Sequence, residues 1–250
     1  MSRKLYDTLK KLTTEARNPR SAELDRLSTR EIVELMNRED QLVAPAVAKV
    51  LPQVARAADL VTASFNAGGR LIYAGAGTSG RLGVLDASEC PPTFGVPPRQ
   101  VQGLIAGGRR TLVRSREGVE DDRGAARQAV AKLKLDSNDT LLGIAASGQT
   151  PYPLAALSAG KKRGAATIFL VCNRTDKLPR YIDLTINPIL GPELLTGSTR
   201  LKAGTACKMI LNMITTAAMV RTGRCFGNLM VDLRATSAKL QERARLILVE

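Results

Sequence analysis

The chain has 250 residues, of which 44% are hydrophobic and 24% charged, as in an ordinary globular domain. Its 37 Lys and Arg residues against 23 Asp and Glu residues leave a net charge of +14, which favours anionic ligands. Aromatic residues make up only 3%, with no Trp, which argues against base stacking and a nucleic-acid partner. The absence of His excludes Ser-His-Asp and Cys-His catalysis and imidazole-based zinc sites.

The cysteines indicate a reducing compartment. Cys90, Cys172, Cys207 and Cys225 lie far apart without a C-x-x-C pair, so we expect reduced thiols, no metal site and a cytoplasmic protein. The N-terminus lacks the apolar core of a signal peptide, and we find no stretch of membrane-spanning length. We therefore expect no membrane partner.

Residues 1–68 have a helical pattern. Ser28 to Glu31 has the sequence of a capping box at a helix start. We expect a break near Glu39-Asp40 and Pro45, followed by a second helix that ends near Asn66. Pro52 is expected to kink that second helix.

Strand and helix patterns alternate from Arg70 onward. The predicted strands cover 70–74, 101–105, 141–146, 167–172 and 182–186. The predicted helices between them cover 80–90, 118–133 and 154–162, and Pro91-Pro92 is expected to end the first. Such alternation predicts a parallel sheet with helices on both faces. Helices over 203–220 and 229–249 complete a single α/β domain, with a helical flank at 1–68, a sheet core at 69–200 and C-terminal helices at 201–250.

A glycine-rich loop, Gly75 to Gly80, follows the first predicted strand. Its letters satisfy G-x-G-x-x-G, but a dinucleotide site needs an acidic residue about 20 positions further on, and 92–108 contains none. The loop instead carries Thr78 and Ser79 at a helix N-terminus, where hydroxyls and free N–H groups favour an anion. Either hydroxyl could also simply cap the helix.

A similar loop, Ser147-Gly-Gln-Thr150, follows the strand predicted at 141–146. Ligands of open α/β sheets bind at the carboxyl ends of the strands. Two such loops in a cationic chain therefore predict a phosphorylated small-molecule ligand.

Carboxylates near these loops are the candidate acids and bases in a chain without His. Asp86 and Glu89 share one face of the predicted helix, and spacing leaves the role of Glu89 open. Acidic residues at the start of a helix typically interact with the positive end of the helix dipole. Spacing alone favours this interpretation for the acidic residues at the start of the next helix, Glu117, Glu120, Asp121 and Asp122.

The segments 75–94, 146–152, 191–206 and 228–232 resemble the N-acetylmuramic acid 6-phosphate etherases of the SIS superfamily. The similarity extends from about Leu12 to the end of the chain. The resemblance implies a SIS-type open parallel sheet with helical extensions. It also implies a cytoplasmic lyase of peptidoglycan recycling that needs no cofactor or metal and forms a homodimer.

The implied reaction converts N-acetylmuramic acid 6-phosphate and water into N-acetylglucosamine 6-phosphate and D-lactate. The resemblance implies that Glu120 removes the C2 proton, whereas Glu89 protonates the departing lactate and then activates water. These roles require one neutral and one ionised glutamate. The implied substrate-binding residues are Thr78, Ser79, Ser147 and Thr150 with Gln149 beside them, and Ser198 and Lys202 to close the sugar site. Tyr152 is expected to pack.

Three departures from the family pattern stand out. Family members usually have a small helical region after the position of Glu250. A chain without that region would be either an engineered truncation or a short natural form. Arg109-Arg110 replaces an expected acidic residue. Gln149 stands where Arg is common, and a neutral amide should weaken phosphate binding.

An alternative function is a sugar-phosphate-sensing regulator without turnover, as in the related glucokinase regulatory protein. That protein joins two such domains, and this chain has one. A SIS-type transcription regulator would need a DNA-reading domain, for which the first seventy residues leave no room.

Overall fold

The computed structural model describes residues 12–175 and 178–231, together with 241, 242 and 245. Between Leu12 and Leu27 the chain forms three short 3-10 turns instead of the predicted helix. In the described part of the chain the first α-helix, α1 (Thr29–Asp40), begins after Ser28, whose hydroxyl accepts from the Glu31 N–H. The Glu31 carboxylate accepts in turn from the Ser28 N–H, so the predicted capping box is confirmed.

Two helices, α2 (Val43–Ala48) and α3 (Leu51–Asn66), fill the region of the second predicted helix. The break after Asp40 is confirmed. The predicted kink at Pro52 is wrong, because Pro52 lies in the first turn of α3, where a missing N–H costs no helical hydrogen bond.

The core of the fold is a five-stranded, fully parallel sheet in the order β2-β1-β3-β4-β5. Its strands are β1 (Leu71–Gly75), β2 (Val101–Ile105), β3 (Thr140–Ile144), β4 (Ala166–Leu170) and β5 (Leu184–Ile186). Gly75 pairs with Ile105 on one side and with Ile144 on the other, so β1, β2 and β3 end at the same edge.

Helices cover both faces of the sheet, which confirms the predicted α/β architecture. The connecting helices are α4 (Gly77–Phe94), α5 (Arg123–Leu133) and α6 (Pro151–Lys161), and α7 (Lys202–Arg221) follows β5. Side chains of α3, α4 and α7 form one hydrophobic core, and side chains of α5 and α6 form the other. Every residue of β1 and β3 is therefore buried, as expected for parallel strands between two helical layers.

Helix α4 is longer at both ends than predicted. It continues through Pro91 and Pro92 to Phe94, so the prediction that the proline pair ends the helix is wrong. Buried contacts of Cys90 and Phe94 hold this last turn in the core. The helix ends at Gly95, whose φ of 67° is left-handed and whose N–H donates to the Pro91 carbonyl at 3.1 Å.

Two predictions near the C-terminus differ from the structure. Within the described residues, α7 is long and apolar enough to cross a membrane, although no such stretch was expected. More than half of it is buried inside the domain, and buried core helices satisfy the same criteria. Leu229–Met230 forms a strand, β7, antiparallel to β6 (Cys225–Phe226), and does not begin the helix predicted over 229–249. The described residues 241, 242 and 245 are helical, and the rest of the predicted helix beyond 231 lies outside the described residues.

Candidate active site

A cleft of about 300 Å³ opens at the carboxyl edge of β1, β2 and β3. The chain leaves β1 toward one side of the sheet and β3 toward the other, which makes their boundary a topological switch point. The cleft is lined by residues that follow these three strands and by one residue before α7: Ala76, Gly77, Thr78, Ser79, Arg81, Ala106, Thr111, Ser115, Arg116, Glu117, Val119, Glu120, Ala146, Ser147, Thr150 and Thr199.

The loop after β1 offers unused hydrogen-bond donors to the cleft. Helix α4 starts at Gly77, and its N-cap residue, Ala76, has no side chain that could cap it. Neither hydroxyl of Thr78 and Ser79 has a hydrogen-bond partner within the described chain, and the same holds for the N–H groups of Gly77, Thr78 and Ser79. The capping interpretation of these hydroxyls is therefore wrong, and the first turn is free to bind an anion.

Glycine is required in this first loop for two different reasons. Gly77 has a φ of 51°, in the left-handed region. A Cβ on Gly80 would approach Ile105 Cγ1 to 2.7 Å, so only glycine lets α4 begin this close to β2. These contacts fix the position of the donors at the end of β1.

The loop after β3 forms a second part of the cleft wall. Ser147 and Thr150 line the cleft, whereas Gln149 is exposed outside its lining. Thr150 is the N-cap of α6 but makes no side-chain capping bond, so its hydroxyl is also unused. Ser147 Oγ accepts from the Gln149 N–H at 3.3 Å, a bond that leaves its own proton available.

The segment after β2 brings charged residues to the cleft. Arg81 of α4 donates to the carbonyls of Thr111, at 2.7 Å, and Leu112, at 2.9 Å, and so ties this segment to the glycine loop. The segment then contributes Arg116 and Glu120, as well as Glu117, to the lining. The sequence interpretation missed Arg81 and Arg116, although Arg81 directly follows the G-x-G-x-x-G pattern.

The acidic residues of this segment differ in surroundings. Asp122 caps α5 by accepting from the Ala125 N–H at 2.8 Å, which fits the predicted helix-end role. Glu120 lies in a short 3-10 turn before that helix, is half-buried and lines the cleft.

Glu89 lies outside the cleft formed by its own chain. It is exposed on α4 and borders a separate pocket of about 200 Å³, whose lining includes Asp86, Lys208 and Asn212. Ten residues separate it from Ser79, which is about 15 Å along a helix axis. We call the loops at 75–80 and 147–150, which present unused hydrogen-bond donors, the donor loops. The structure therefore brings Glu120, but not Glu89, to the donor loops of the same chain.

Asp86, behind Glu89, is the centre of a buried polar network. Its carboxylate accepts from Tyr73 and Asn212, each at 2.7 Å, and from Thr215 at 3.1 Å. Burial and the nearby Asp86 charge raise the pKa of Tyr73 well above its ordinary value, so this phenol stays a donor. The network joins β1, α4 and α7.

Lys202 and Ser198 also lie outside the cleft lining. Lys202 is 1% exposed, and its ammonium donates to Glu39 at 2.5 Å and to the Leu190 carbonyl at 3.1 Å. Contact with a substrate would require this ammonium to leave Glu39. Thr199, the residue after Ser198, lines the cleft instead.

The N-terminus of α7 is held by a buried carboxylate, Glu193. It accepts from the N–H groups of Lys202 at 3.0 Å and Ala203 at 2.9 Å. Burial raises the pKa of Glu193 despite these bonds.

Other predicted features have a structural role or lie away from the cleft. Tyr152, in the first turn of α6, is buried in the core, as predicted. Arg109 and Arg110 form an exposed 3-10 turn outside the cleft lining. All four cysteines are free thiols, as predicted, and in the described part of the chain no three acidic or cysteine side chains are grouped to hold a metal ion.

Comparisons with known proteins agree with this fold. Residues 53–161 match the profile of the glucokinase regulatory protein N-terminal SIS domain. A phosphoheptose isomerase from Francisella tularensis, 17% identical, superposes with a TM-score of 0.56 over 78% of this chain and 99% of that one. The Vibrio vulnificus NanR protein complexed with ManNAc-6P, 13% identical, gives a TM-score of 0.53 over 92% of this chain and 72% of that one.

A much closer relative defines the family. The N-acetylmuramic acid 6-phosphate etherase of Edwardsiella ictaluri is 54% identical over 239 residues, which are 96% of this chain and 80% of that protein. The quoted segments 75–94, 146–152 and 191–206, which include the donor loops and Thr199, fall within this nearly full-length match. This chain therefore belongs to the N-acetylmuramic acid 6-phosphate etherase family.

Proposed function

We propose that this chain is a cytoplasmic, cofactor-independent carbon–oxygen lyase that cleaves the lactyl ether of N-acetylmuramic acid 6-phosphate. Its products are N-acetylglucosamine 6-phosphate and D-lactate. The observation that carries the proposal is the set of unpartnered donors at the switch point, in a chain 54% identical to an etherase over almost its whole length.

The donor loops suit the phosphate group of this substrate. The N–H groups of the first turn of α4 form the positive end of the helix dipole, which favours an anion. The hydroxyls of Thr78, Ser79 and Thr150 add donors that no other group in the described chain uses. Each N–H or O–H replaces a hydrogen bond that the phosphate loses on leaving water.

Glu120 is the proposed base of the elimination. Once the sugar ring opens, the C1 aldehyde acidifies the C2 proton. Glu120 takes that proton, the electron pair forms the C2–C3 double bond, and the C3–O bond breaks as the lactate oxygen takes a proton from Glu89. Water then gives a proton to Glu89 as its oxygen adds to C3, and Glu120 returns its proton to C2.

The position of Glu89 makes the proposed homodimer part of this mechanism. Glu89 is about three helical turns from the donor loop of its own chain, on an exposed face that also carries Leu85, 51% exposed. We place this face against the cleft of a second copy, so that Glu89 of one chain serves the site of the other. Burial of Leu85 at the contact would favour this assembly.

The direct test of the proposed function is release of D-lactate from N-acetylmuramic acid 6-phosphate. The wild type is expected to release lactate, and Glu120→Ala and Glu89→Ala to lose at least about 100-fold in kcat. Asp121→Ala, an exposed carboxylate next to Glu120 but outside the cleft lining, is the matched control and should stay within about twofold. A folded wild type that binds the phosphosugar without releasing lactate would contradict the lyase and favour the regulator alternative.

Mixing the two inactive variants tests the shared site. Co-expressed Glu89→Ala and Glu120→Ala chains should form mixed dimers in which one of the two sites has both glutamates. Such a mixture should recover a measurable fraction of wild-type lactate release. Glu89 and Glu120 act within one chain if no activity returns although mixed dimers are isolated.

A further inference from the structure

The cleft has two chemically different walls. The walls formed after β1 and β3 present hydroxyl and N–H donors, and none of their lining residues is a cation except Arg81. The guanidinium of Arg81 is occupied by the carbonyls of Thr111 and Leu112. The wall formed after β2 adds Arg116, which is exposed to the cleft and has no hydrogen bond or ion pair within the described residues.

The two walls belong to one cleft of about 300 Å³. The glycine loop follows β1, which lies between β2 and β3 in the sheet, and the turn at Val119–Asp121, just after Arg116, packs against α6 beyond the Ser147 loop. Two strand spacings of about 4.8 Å put the ends of β2 and β3 about 10 Å apart. Thr78, Ser147 and Arg116 line this one cleft, so a single ligand can contact the donor loops and Arg116 at the same time.

The charges on the β2 wall define what this second end accepts. Glu117 and Glu120 line the same wall, so an anion placed there would be repelled unless a cation offset them. An arginine supplies that cation, and its planar fork matches a carboxylate through two parallel hydrogen bonds. Arg81 holds the backbone of this segment at Thr111 and Leu112, which ties the segment that carries Arg116 to α4.

We propose that Arg116 binds the lactyl carboxylate of the substrate and thereby selects muramic acid phosphates over 6-phosphosugars that lack an acid group. This inference rests on the proposed function and adds a specificity-determining residue to it. The substrate has two anionic groups, and the donor loops take the phosphate. The lactyl carboxylate, attached through C3, is the remaining anion and lies beside the bond that breaks.

The test compares two ligands that differ only in the lactyl group. For Arg116→Gln, we expect KM for N-acetylmuramic acid 6-phosphate to rise about 10- to 100-fold, the range for loss of a charge-assisted hydrogen bond. The inhibition constant of N-acetylglucosamine 6-phosphate should stay within about twofold. Arg116→Lys should lie between, because it keeps the charge and loses the fork.

Arg114→Gln is the matched control, since Arg114 is an exposed arginine of the same segment outside the cleft lining. It should leave both constants unchanged. Equal weakening of both ligands by Arg116→Gln, or no weakening of either, would overturn the proposal, because the first outcome indicates a phosphate or structural role.

The failure of the proposed function would be recognised separately. If the wild type releases no lactate, the same two ligands are compared by calorimetry on wild type and Arg116→Gln. A selective loss of affinity for the muramic acid phosphate would still support the role of Arg116, and equal affinities would overturn it.

Discussion

Lys202→Met is expected to destabilise the fold rather than to weaken substrate binding specifically. The Lys202 ammonium is 1% exposed and lies 2.5 Å from a carboxylate oxygen of Glu39, which is 2% exposed. Removing one partner of a buried ion pair costs about 3–5 kcal/mol, because the other charge stays desolvated. Arg20 would remain bound to Glu39, and its side chain is 58% exposed, so we expect the lower end of that range, about 3 kcal/mol.

Thermal unfolding followed by circular dichroism at pH 7 measures this effect. At about 2–4 °C per kcal/mol for a chain of this size, Tm should fall by about 6–12 °C. The control is Glu34→Gln, which removes an exposed pair with Arg30 and should shift Tm by less than about 2 °C. The double variant Glu39→Leu/Lys202→Met should regain part of the lost stability, because no buried charge is left unpaired.

The pH dependence of Tm adds a second readout. Burial acts to raise the pKa of Glu39, but hydrogen bonds from Arg20 and Lys202 outweigh it, and the pKa is lowered. Stabilisation by the pair is therefore present above the ordinary glutamate pKa of about 4.3 and is lost as the pH falls through the lower folded-state value. The difference in Tm between wild type and Glu39→Gln should shrink below about pH 4.

One result would refute this reasoning. If Lys202→Met keeps the wild-type Tm and raises KM at least tenfold, the ammonium contacts the substrate, as the family resemblance implies. The buried pair with Glu39 would then not be its main role.

Two further predictions concern buried groups near the candidate site. Asp86→Ala should lower the free energy of unfolding by about 3 kcal/mol, because Tyr73, Asn212 and Thr215 lose their shared acceptor. Thermal unfolding measures this effect, with the exposed Asp59→Ala as the control. Equal Tm values for the two variants would contradict a structural role for the network. Thiol labelling at pH 8 should modify one cysteine quickly in the native chain and all four after denaturation. Of the four cysteines only Cys225 is accessible, and burial raises the pKa of the Cys90 thiol to about 12. Rapid labelling of Cys90 in the native chain would show that α4 opens readily.

Local sequence patterns were sufficient for most of the architecture. The capping box at Ser28, the five strands and the two donor loops follow from hydrophobic periodicity and from glycine and hydroxyl residues at helix starts. The same patterns failed at Pro52 and at Pro91-Pro92. There the result depends on where in a helix the proline lies and on the core contacts that hold the turn.

The candidate site was only partly predictable. The donor loops could be found because each is a continuous stretch whose chemistry is local. Arg116 was not found, since an arginine among many gives no local signal until the β2 segment folds beside the glycine loop. The resemblance implied a role for Glu89, but only the fold shows that this side chain lies away from the cleft of its own chain.

Local patterns in the chain were enough to predict the α/β class, the alternation of strands and helices, the position of the two donor loops and the likeness to the etherase family. Which charged side chains line the cleft and which are buried became clear from the folded arrangement alone. Lys202 and Glu39 are 163 residues apart in the chain, and no spacing rule links them. Their pairing depends on the packing of the N-terminal helices against α7, because burial and electrostatic partners are properties of three-dimensional contacts.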